Sequence, residues 1–448
     1  MSHEHGLGAA PADLGALDPA VWPTGMSRAA EGHLVLRGHD VRSLVREHGT
    51  PVFLLDETDF RARCAAYRDA LPDADIYYAA KAFLSVGVAR WVHEEGLSLD
   101  VCTGGELAVA VHAGFPPARI LFHGNNKSTS ELAAAIEAGV GRIVIDSFDE
   151  IQRLSRLCVN RRQPQRVLLR ATVGVEAHTH EFIATAHEDQ KFGFSLVDGQ
   201  VHEAVGRVLA APGLDLVGLH SHIGSQIFDT SAFEIAAHRV VAVLAEVRSE
   251  HGVELAELNL GGGLGIAYVS GDDPLDPAGI GSSLRSIVTR ECAAYDLVLP
   301  RLAVEPGRAI AGPGTVTVYE VGTVKEVAGL RTYVSVDGGM SDNVRTALYD
   351  ADYSVTLASR QSSASPMLAR VVGKHCESGD VVVKDAWLPA DLVPGDLVAV
   401  AATGAYCRSM ASSYNHVPRP AVVAVTEEGS RLLVRRENET DLLALDMG

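Results

Sequence analysis

A lysine ends the apolar run Ile76-Tyr77-Tyr78-Ala79-Ala80-Lys81. Flanked by Tyr78, Ala79, Ala80, Ala82 and Phe83, its ammonium is expected to be partly desolvated, which lowers a lysine pKa and frees the amine for imine formation. A lysine in such a run also snorkels to water with no chemical role, so Lys81 gains weight only from its companions. Leu260-Gly261-Gly262-Gly263-Leu264-Gly265 lets backbone N–H groups approach an anion closely, although a glycine triplet equally makes a plain tight turn. Val304-Glu305-Pro306-Gly307-Arg308 sets a carboxylate and a guanidinium three residues apart. That pair is either a surface salt bridge worth little, or a carboxylate that keeps a pyridine nitrogen protonated and the ring a strong electron sink. In His220-Ser221-His222-Ile223-Gly224-Ser225-Gln226 the two histidines at i and i+2 share one face of a strand. The pair permits a metal site; it equally permits one imidazole to lie flat on an aromatic cofactor while Ser225 reaches a phosphate. A further pair in Val175-Glu176-Ala177-His178-Thr179-His180 falls on what reads as a loop, where surface histidines are the default.

These clusters need elements to position them, and each chemically promising one ends a short apolar run. Eight such runs occur: Ile76 to Lys81, Leu97 to Gly104, Ile120 to Asn125, Arg142 to Asp146, Val167 to Gly174, Leu216 to Gly224, Leu258 to Gly263 and Leu302 to Arg308. Stretches of helical period lie between most of them, such as Ser130 to Ala138, Ala232 to His251 and Leu284 to Tyr295. The alternation predicts an α/β fold of parallel strands and crossover helices, closed as a (β/α)8 TIM-type barrel with its chemistry at the carboxyl ends of the strands. The glycine triplet follows the seventh run and Glu305 ends the eighth, where barrel enzymes build their phosphate site.

The chain has 448 residues, and a barrel uses about 250, so a second domain is expected. From about Thr315 β-rich runs follow one another without helices: Val316 to Val321, Thr332 to Val336, Val381 to Lys384, Leu397 to Ala401 and Val422 to Val425. The expected organisation is an N-terminal extension and a segment joining the β domain over residues 1–49, the barrel over 50–314, and a mainly β domain over 315–448. Met1 to about Val21, rich in alanine, glycine and histidine, is expected to be loosely ordered. It lacks a basic start followed by an apolar core, so no secretory signal is expected, and no run reaches the roughly 18 apolar residues of a membrane helix.

The net charge of −19, from 38 basic and 57 acidic residues, argues against a nucleic-acid partner, because a phosphate backbone needs a basic face. Cys64, Cys102, Cys158, Cys292, Cys376 and Cys407 form no CxxC pair, which fits free thiols in a reducing cytoplasm and gives no support to a structural zinc site.

Taken together, the clusters resemble the fold type III, pyridoxal-phosphate-dependent decarboxylases, and among them the diaminopimelate decarboxylase family. The resemblance runs from about Gly49 to Val425. It rests on Tyr78-Ala79-Ala80-Lys81-Ala82, Thr103-Gly104-Gly105-Glu106-Leu107, His123-Gly124-Asn125-Asn126-Lys127, Lys191-Phe192-Gly193, His220 to Gln226, Gly261 to Gly263, Glu305 to Arg308, Cys376-Glu377-Ser378-Gly379-Asp380 and Gly404-Ala405-Tyr406. It implies pyridoxal 5′-phosphate as cofactor and decarboxylation of meso-2,6-diaminopimelate to L-lysine and carbon dioxide, the last step of lysine biosynthesis. By the same resemblance Lys81 bonds covalently to the cofactor, His222 stacks on its ring and Glu305 pairs with the pyridinium nitrogen. Ser225, the backbone of Gly261, Gly262 and Gly263, that of Pro306, Gly307 and Arg308, and the Tyr406 hydroxyl hold the phosphate. Arg308, Arg345 and Tyr349 bind the distal carboxylate of the substrate, with Tyr406 beside it; Glu377 binds the distal ammonium, and Cys376 returns a proton to the α-carbon. Cys376 and Glu377 come from a neighbouring subunit, so a homodimer with two composite sites is implied. Two positions depart from the pattern: Thr346 stands where much of the family has proline, and Arg408 where an aromatic residue is common.

Rival readings remain at this level. Decarboxylases of the same fold that act on ornithine, arginine or lysine have no use for arginines placed to bind a distal carboxylate, so Arg345 together with Glu377 discriminates against them. Alanine-racemase-like enzymes set an arginine, not Glu305, at the ring nitrogen. A metal hydrolase built on His220 and His222 would carry paired histidines on the first strand, where this chain has Lys81. A catalytically silent cofactor-binding protein would lack Cys376 and Glu377.

Overall fold

The computed structural model describes residues 9–174 and 191–448; the histidine pair of Val175–His180 lies outside them. The chain divides into two compact units, one of Arg61–Gly265 and Pro274–Ile310, the other of Met1–Phe60, Ile266–Asp273 and Ala311–Gly448.

The first unit is a closed parallel barrel. Its eight strands are Asp75–Ala79, Ser98–Val101, Ile120–Phe122, Arg142–Ile145, Gln165–Thr172, Leu214–His220, Glu257–Asn259 and Arg301–Val304. Each pairs in parallel with the next, and the eighth pairs with the first, Ala303 opposite Asp75. All eight runs singled out in the sequence are therefore barrel strands. A ninth strand of two residues, Phe194–Ser195, which no sequence signal marks, pairs beside the fifth. Tyr77, Leu121, Val144, Leu168, Val217 and Ala303 form a buried apolar cluster inside the barrel. Because strand side chains alternate faces, the residues two places on from four of these, His123, Asp146, Arg170 and Glu305, share the inner face at the carboxyl end.

The returning helices start on hydrogen-bonding caps. Ser85, Thr103, Ser128 and Ser147 each accept a backbone N–H of the first turn, the role in which serine and threonine outdo other residues. The motif Thr103-Gly104-Gly105-Glu106 is such a start. Thr103 caps the helix Gly104–His112, and Glu106 Oε2 reaches back to the Cys102 N–H across 2.6 Å.

The second unit is built on a sheet that runs in the order Val381–Pro389, Pro366–Val372, Arg331–Val336, Thr315–Val327, Val52–Asp56, Ala421–Thr426, Gly429–Val434. Leu397–Val400 pairs with Thr315–Val327 and with Val355–Leu357. Val52–Asp56 corrects the boundary expected at residue 50. It is hydrogen-bonded antiparallel to Thr315–Val327 and parallel to Ala421–Thr426, so the division falls between Phe60 and Arg61. A five-residue run buried along its whole length reads the same in a barrel wall as in the middle of a sheet. The expectation of a loose N-terminus also fails over its described part. Val21 and Trp22 are buried in this unit's core with Leu34, Leu36, Val41 and Val423, and Leu14 O accepts a hydrogen bond from Thr356 Oγ1. Among the described residues no helix is long and apolar enough to cross a membrane.

Candidate active site

The carboxyl end of the barrel gathers buried charge around Glu305, which is 6 % exposed. Its Oε1 lies 2.8 Å from His123 Nε2, 2.8 Å from Asn259 Nδ2 and 3.3 Å from His220 Nε2. Burial by itself raises a carboxyl pKa, but the adjoining His123 and His220 more than offset it and hold Glu305 well below the usual carboxylate range. Burial pushes His220 itself down to about 4, and Asn259 donates a further hydrogen bond to the Glu305 carboxylate. Asp100, 3.9 Å from His123 Nε2, is driven the other way, up to about 7, by burial and by the charge of Glu305. Two carboxyl groups in one pocket thus settle into opposite protonation tendencies.

Beside this group the loops after the sixth, seventh and eighth strands form a cradle with no room for side chains. A Cβ on Gly262 would stand 2.3 Å from the Glu305 carbonyl oxygen, and one on Gly263 2.4 Å from Gly224 O. Gly261 and Gly263 also need positive φ, +70° and +105°, which only glycine adopts freely. Gly307 packs on Ala79, where an added Cβ would meet the Ala79 Cβ at 2.8 Å. Ser225 Oγ accepts from Arg308 Nη2 at 2.8 Å, so two residues given separate partners by the sequence resemblance touch each other; Pro306 and Gly307, between that arginine and Glu305, are buried. A phosphate at bare backbone and a pyridine ring against a buried, ionised carboxylate are what these residues suit. The barrel mouth therefore fits pyridoxal 5′-phosphate.

Lys81 follows the first strand by two residues, in a turn, and is exposed. This corrects the expectation of a desolvated ammonium. A side chain past the end of a barrel strand faces the mouth, not the apolar wall that its neighbours in sequence fill. Its charge acts on Asp100, Cys102, Glu106 and His222. His222 Nδ1 accepts from the Gly262 N–H at 3.3 Å, and burial together with the nearby lysine holds that imidazole well below its ordinary pKa. His220 and His222 do not act as a pair. His220 joins His123 and Glu305, whose ligand-capable atoms lie within 4.8 Å of one another, whereas His222 is hydrogen-bonded to the glycine loop.

The remaining sequence-predicted residues lie in the second unit. Arg345 and Tyr349 stand on one face of the short helix Arg345–Tyr349. Arg345 is 3 % exposed, its guanidinium 4.6 Å over the Tyr268 ring and donating through Nη1 to Tyr353 Oη. That burial between tyrosines is invisible in the sequence. Thr346, at the departure from the family's proline, donates Oγ1 to Val382 O. Cys376 and Glu377 are exposed. Their loop is pinned by Asp380, which accepts the N–H groups of Met340 and His375, and by Asn415, which accepts that of Cys376. Tyr406 sits at φ +66°, a costly conformation for a tyrosine. Two residues before it, a Cβ on Gly404 would stand 1.8 Å from Ala311 O. Burial lowers the pKa of Arg408, whose Nε has no hydrogen-bond partner among the described residues; nothing in the structure explains this departure.

His123, Asn259, Asp100 and Arg170 were not singled out for a role by sequence reasoning. Alternation along the third and fifth strands carries the signal for His123 and Arg170. Arg170 lies over the Phe192 ring at 4.3 Å, next to Gly193, whose N–H reaches Asp146 Oδ1 at 2.7 Å. The Lys191-Phe192-Gly193 motif is thus seated on the barrel's fourth and fifth strands.

Comparison with known proteins agrees with this geometry. The sequence model for "Pyridoxal-dependent decarboxylase, pyridoxal binding domain" matches residues 57–312. A curated diaminopimelate decarboxylase from Mycobacterium bovis is 59 % identical over 440 residues, 96 % of this chain and 98 % of the relative. One from Bacillus subtilis is 46 % identical over 93 % of this chain and 95 % of its own. Among solved structures, diaminopimelate decarboxylase from M. jannaschii in complex with L-lysine superposes with a TM-score of 0.88 at 28 % identity, covering 95 % of this chain and 98 % of that one. The Helicobacter pylori enzyme complexed with L-lysine gives 0.82 at 28 % identity, covering 91 % and 99 %. A lysine/ornithine decarboxylase from Vibrio vulnificus, at 23 % identity and 0.72, shares the fold.

Proposed function

The chain belongs to the pyridoxal-dependent decarboxylases and, within them, to the diaminopimelate decarboxylases, and from that premise we propose that it converts meso-2,6-diaminopimelate to L-lysine and carbon dioxide. The observation that carries the reading is the ionised Glu305 carboxylate buried at the barrel mouth among His123, Asn259 and His220, beside a cradle of bare backbone and an exposed Lys81.

Pyridoxal 5′-phosphate, when bound, supplies the sink for the electron pair left on the α-carbon as carbon dioxide departs. Lys81 would provide the amine that holds the cofactor's aldehyde, and its exposed position past the first strand is where a substrate amine would take its place on that aldehyde carbon. Glu305 keeps a proton on the ring nitrogen, because a carboxylate of very low pKa does not take it back. The backbone of the Gly261–Gly263 loop, Ser225, the Pro306–Arg308 backbone and Tyr406 would hold the phosphate, and His222 would cover one ring face. At the far end of the substrate, Arg308, Arg345 and Tyr349 take the carboxylate and Glu377 the ammonium, opposite charges set against an amino-acid group. Cys376 delivers the proton that replaces carbon dioxide on the α-carbon.

The active form in this reading is a homodimer in which Cys376 and Glu377 serve the partner's barrel; both being exposed supports it. A cytoplasmic setting is supported by six free cysteines. The assignment is tested by borohydride reduction with peptide mapping, expected to label Lys81, and by carbon dioxide release from meso-diaminopimelate and from ornithine. Equal turnover of the two substrates would remove the substrate assignment, and an unlabelled Lys81 the reaction itself.

A further inference from the structure

We infer that Asn259 and His123 are positioning residues for the Glu305 carboxylate, and that Asn259 ties that carboxylate to the glycine loop on which the phosphate rests. The inference deepens the proposed function and rests on its assignment of Glu305 to the ring nitrogen.

Two nitrogens hydrogen-bond to a single oxygen of Glu305, with Oε1 accepting from His123 Nε2 and Asn259 Nδ2, and His220 Nε2 lies 3.3 Å from the same oxygen. None of these contacts goes to Oε2, the oxygen that would face a ring nitrogen. An ionised carboxylate only accepts hydrogen bonds, so His123 carries its proton on Nε2 and Asn259 turns its amide NH2 toward Glu305. The other end of the same amide agrees with this orientation, because Asn259 Oδ1 accepts from the Gly261 N–H at 2.8 Å. Flipping the amide would place oxygen against carboxylate and NH2 against N–H. Gly261 O in turn accepts the Glu305 N–H at 2.9 Å. Glu305 and Gly261 are therefore linked twice, through backbone and through the Asn259 amide, which is 1 % exposed. One planar side chain with a donor at one end and an acceptor at the other fixes the ring-nitrogen partner relative to the phosphate cradle. A buried polar group satisfied at both ends in this way is rigid.

The bland alternative is that Asn259 only staples the turn at Gly261. Asn259→Asp separates the two roles, because an aspartate keeps the acceptor for the Gly261 N–H but turns an oxygen toward Glu305. The experiment uses the full-length protein loaded with pyridoxal 5′-phosphate. It measures the cofactor dissociation constant and the pH midpoint of the bound cofactor's absorbance in the wild type, Asn259→Asp, His123→Gln and Glu305→Gln. We expect Asn259→Asp to weaken cofactor binding about tenfold or more and to displace the absorbance midpoint by about one pH unit or more, with a smaller change in His123→Gln. If Glu305→Gln displaces the midpoint while both other variants match the wild type, the positioning role is wrong. If Glu305→Gln also matches the wild type, the ring-nitrogen role of Glu305 falls, and the inference with it. Should Asn259→Asp fail to fold, His123→Gln decides by the same two readings.

Discussion

Lys127 Nζ lies 2.7 Å from Glu150 Oε1, and each of these side chains is 1 % exposed. Lys127 also donates to Gly124 O and Val144 O, while Glu150 accepts the Asp146 N–H. This ion pair therefore joins the loop that follows His123 to the end of the fourth strand.

Removing one partner strands a charge in the interior, so Lys127→Met should cost about 3–5 kcal/mol of stability. The double variant Lys127→Met with Glu150→Leu should recover much of that loss, since apolar pairs of similar size replace buried ion pairs well. Urea denaturation of the three proteins checks this, and a double variant no more stable than the single one would contradict it.

Gly262→Ala tests the cradle. Its new Cβ would meet the Glu305 carbonyl oxygen at 2.3 Å, and backbone on backbone cannot relax as a flexible side chain does. The expected result is a folded barrel whose affinity for pyridoxal 5′-phosphate is reduced about tenfold or more, read by equilibrium dialysis. Unchanged affinity would mean the loop has slack that the structure does not show.

Arg345→Ala should raise KM for diaminopimelate by roughly 10- to 150-fold, the worth of a charge-assisted contact of about 1.5–3 kcal/mol. It should also lower the melting temperature, because the buried guanidinium packs against Tyr268 and Tyr353. A rise in KM with no loss of thermal stability would show that the packing is idle. The opposite pattern would confine Arg345 to a structural role.

Asp342 predicts a pH dependence. Burial lifts its carboxyl to about 7 despite hydrogen bonds from Tyr319 and the Gly339 N–H, against about 3.9 in an unfolded chain. The folded state then keeps a proton that the unfolded chain has released, so this stabilising contribution is full below about pH 4 and lost as pH rises to about 7. The stability advantage of wild type over Asp342→Asn should shrink by roughly 4 kcal/mol across that window. Denaturation curves with parallel pH slopes for the two proteins would refute it.

Legible along the chain were the eight strand-and-cluster repeats, the (β/α)8 barrel they close, and the places of Lys81, Gly261–Gly263 and Glu305 at its carboxyl end. Each of those rests on a pattern within a few residues, such as alternation, a glycine triplet or a capping threonine, and local physics suffices to read it. Folding in three dimensions was needed to show that Val52–Asp56 joins the β sheet and not the barrel, that Lys81 is exposed, and that Arg345 is buried between tyrosines. It alone brought His123 and Asn259, 182 and 46 residues away in sequence, onto one oxygen of Glu305. Such contacts exist because barrel closure sets the third, seventh and eighth strands around a common axis, and a hydrogen bond of 2.8 Å depends on where both ends are held, which no window along the chain contains.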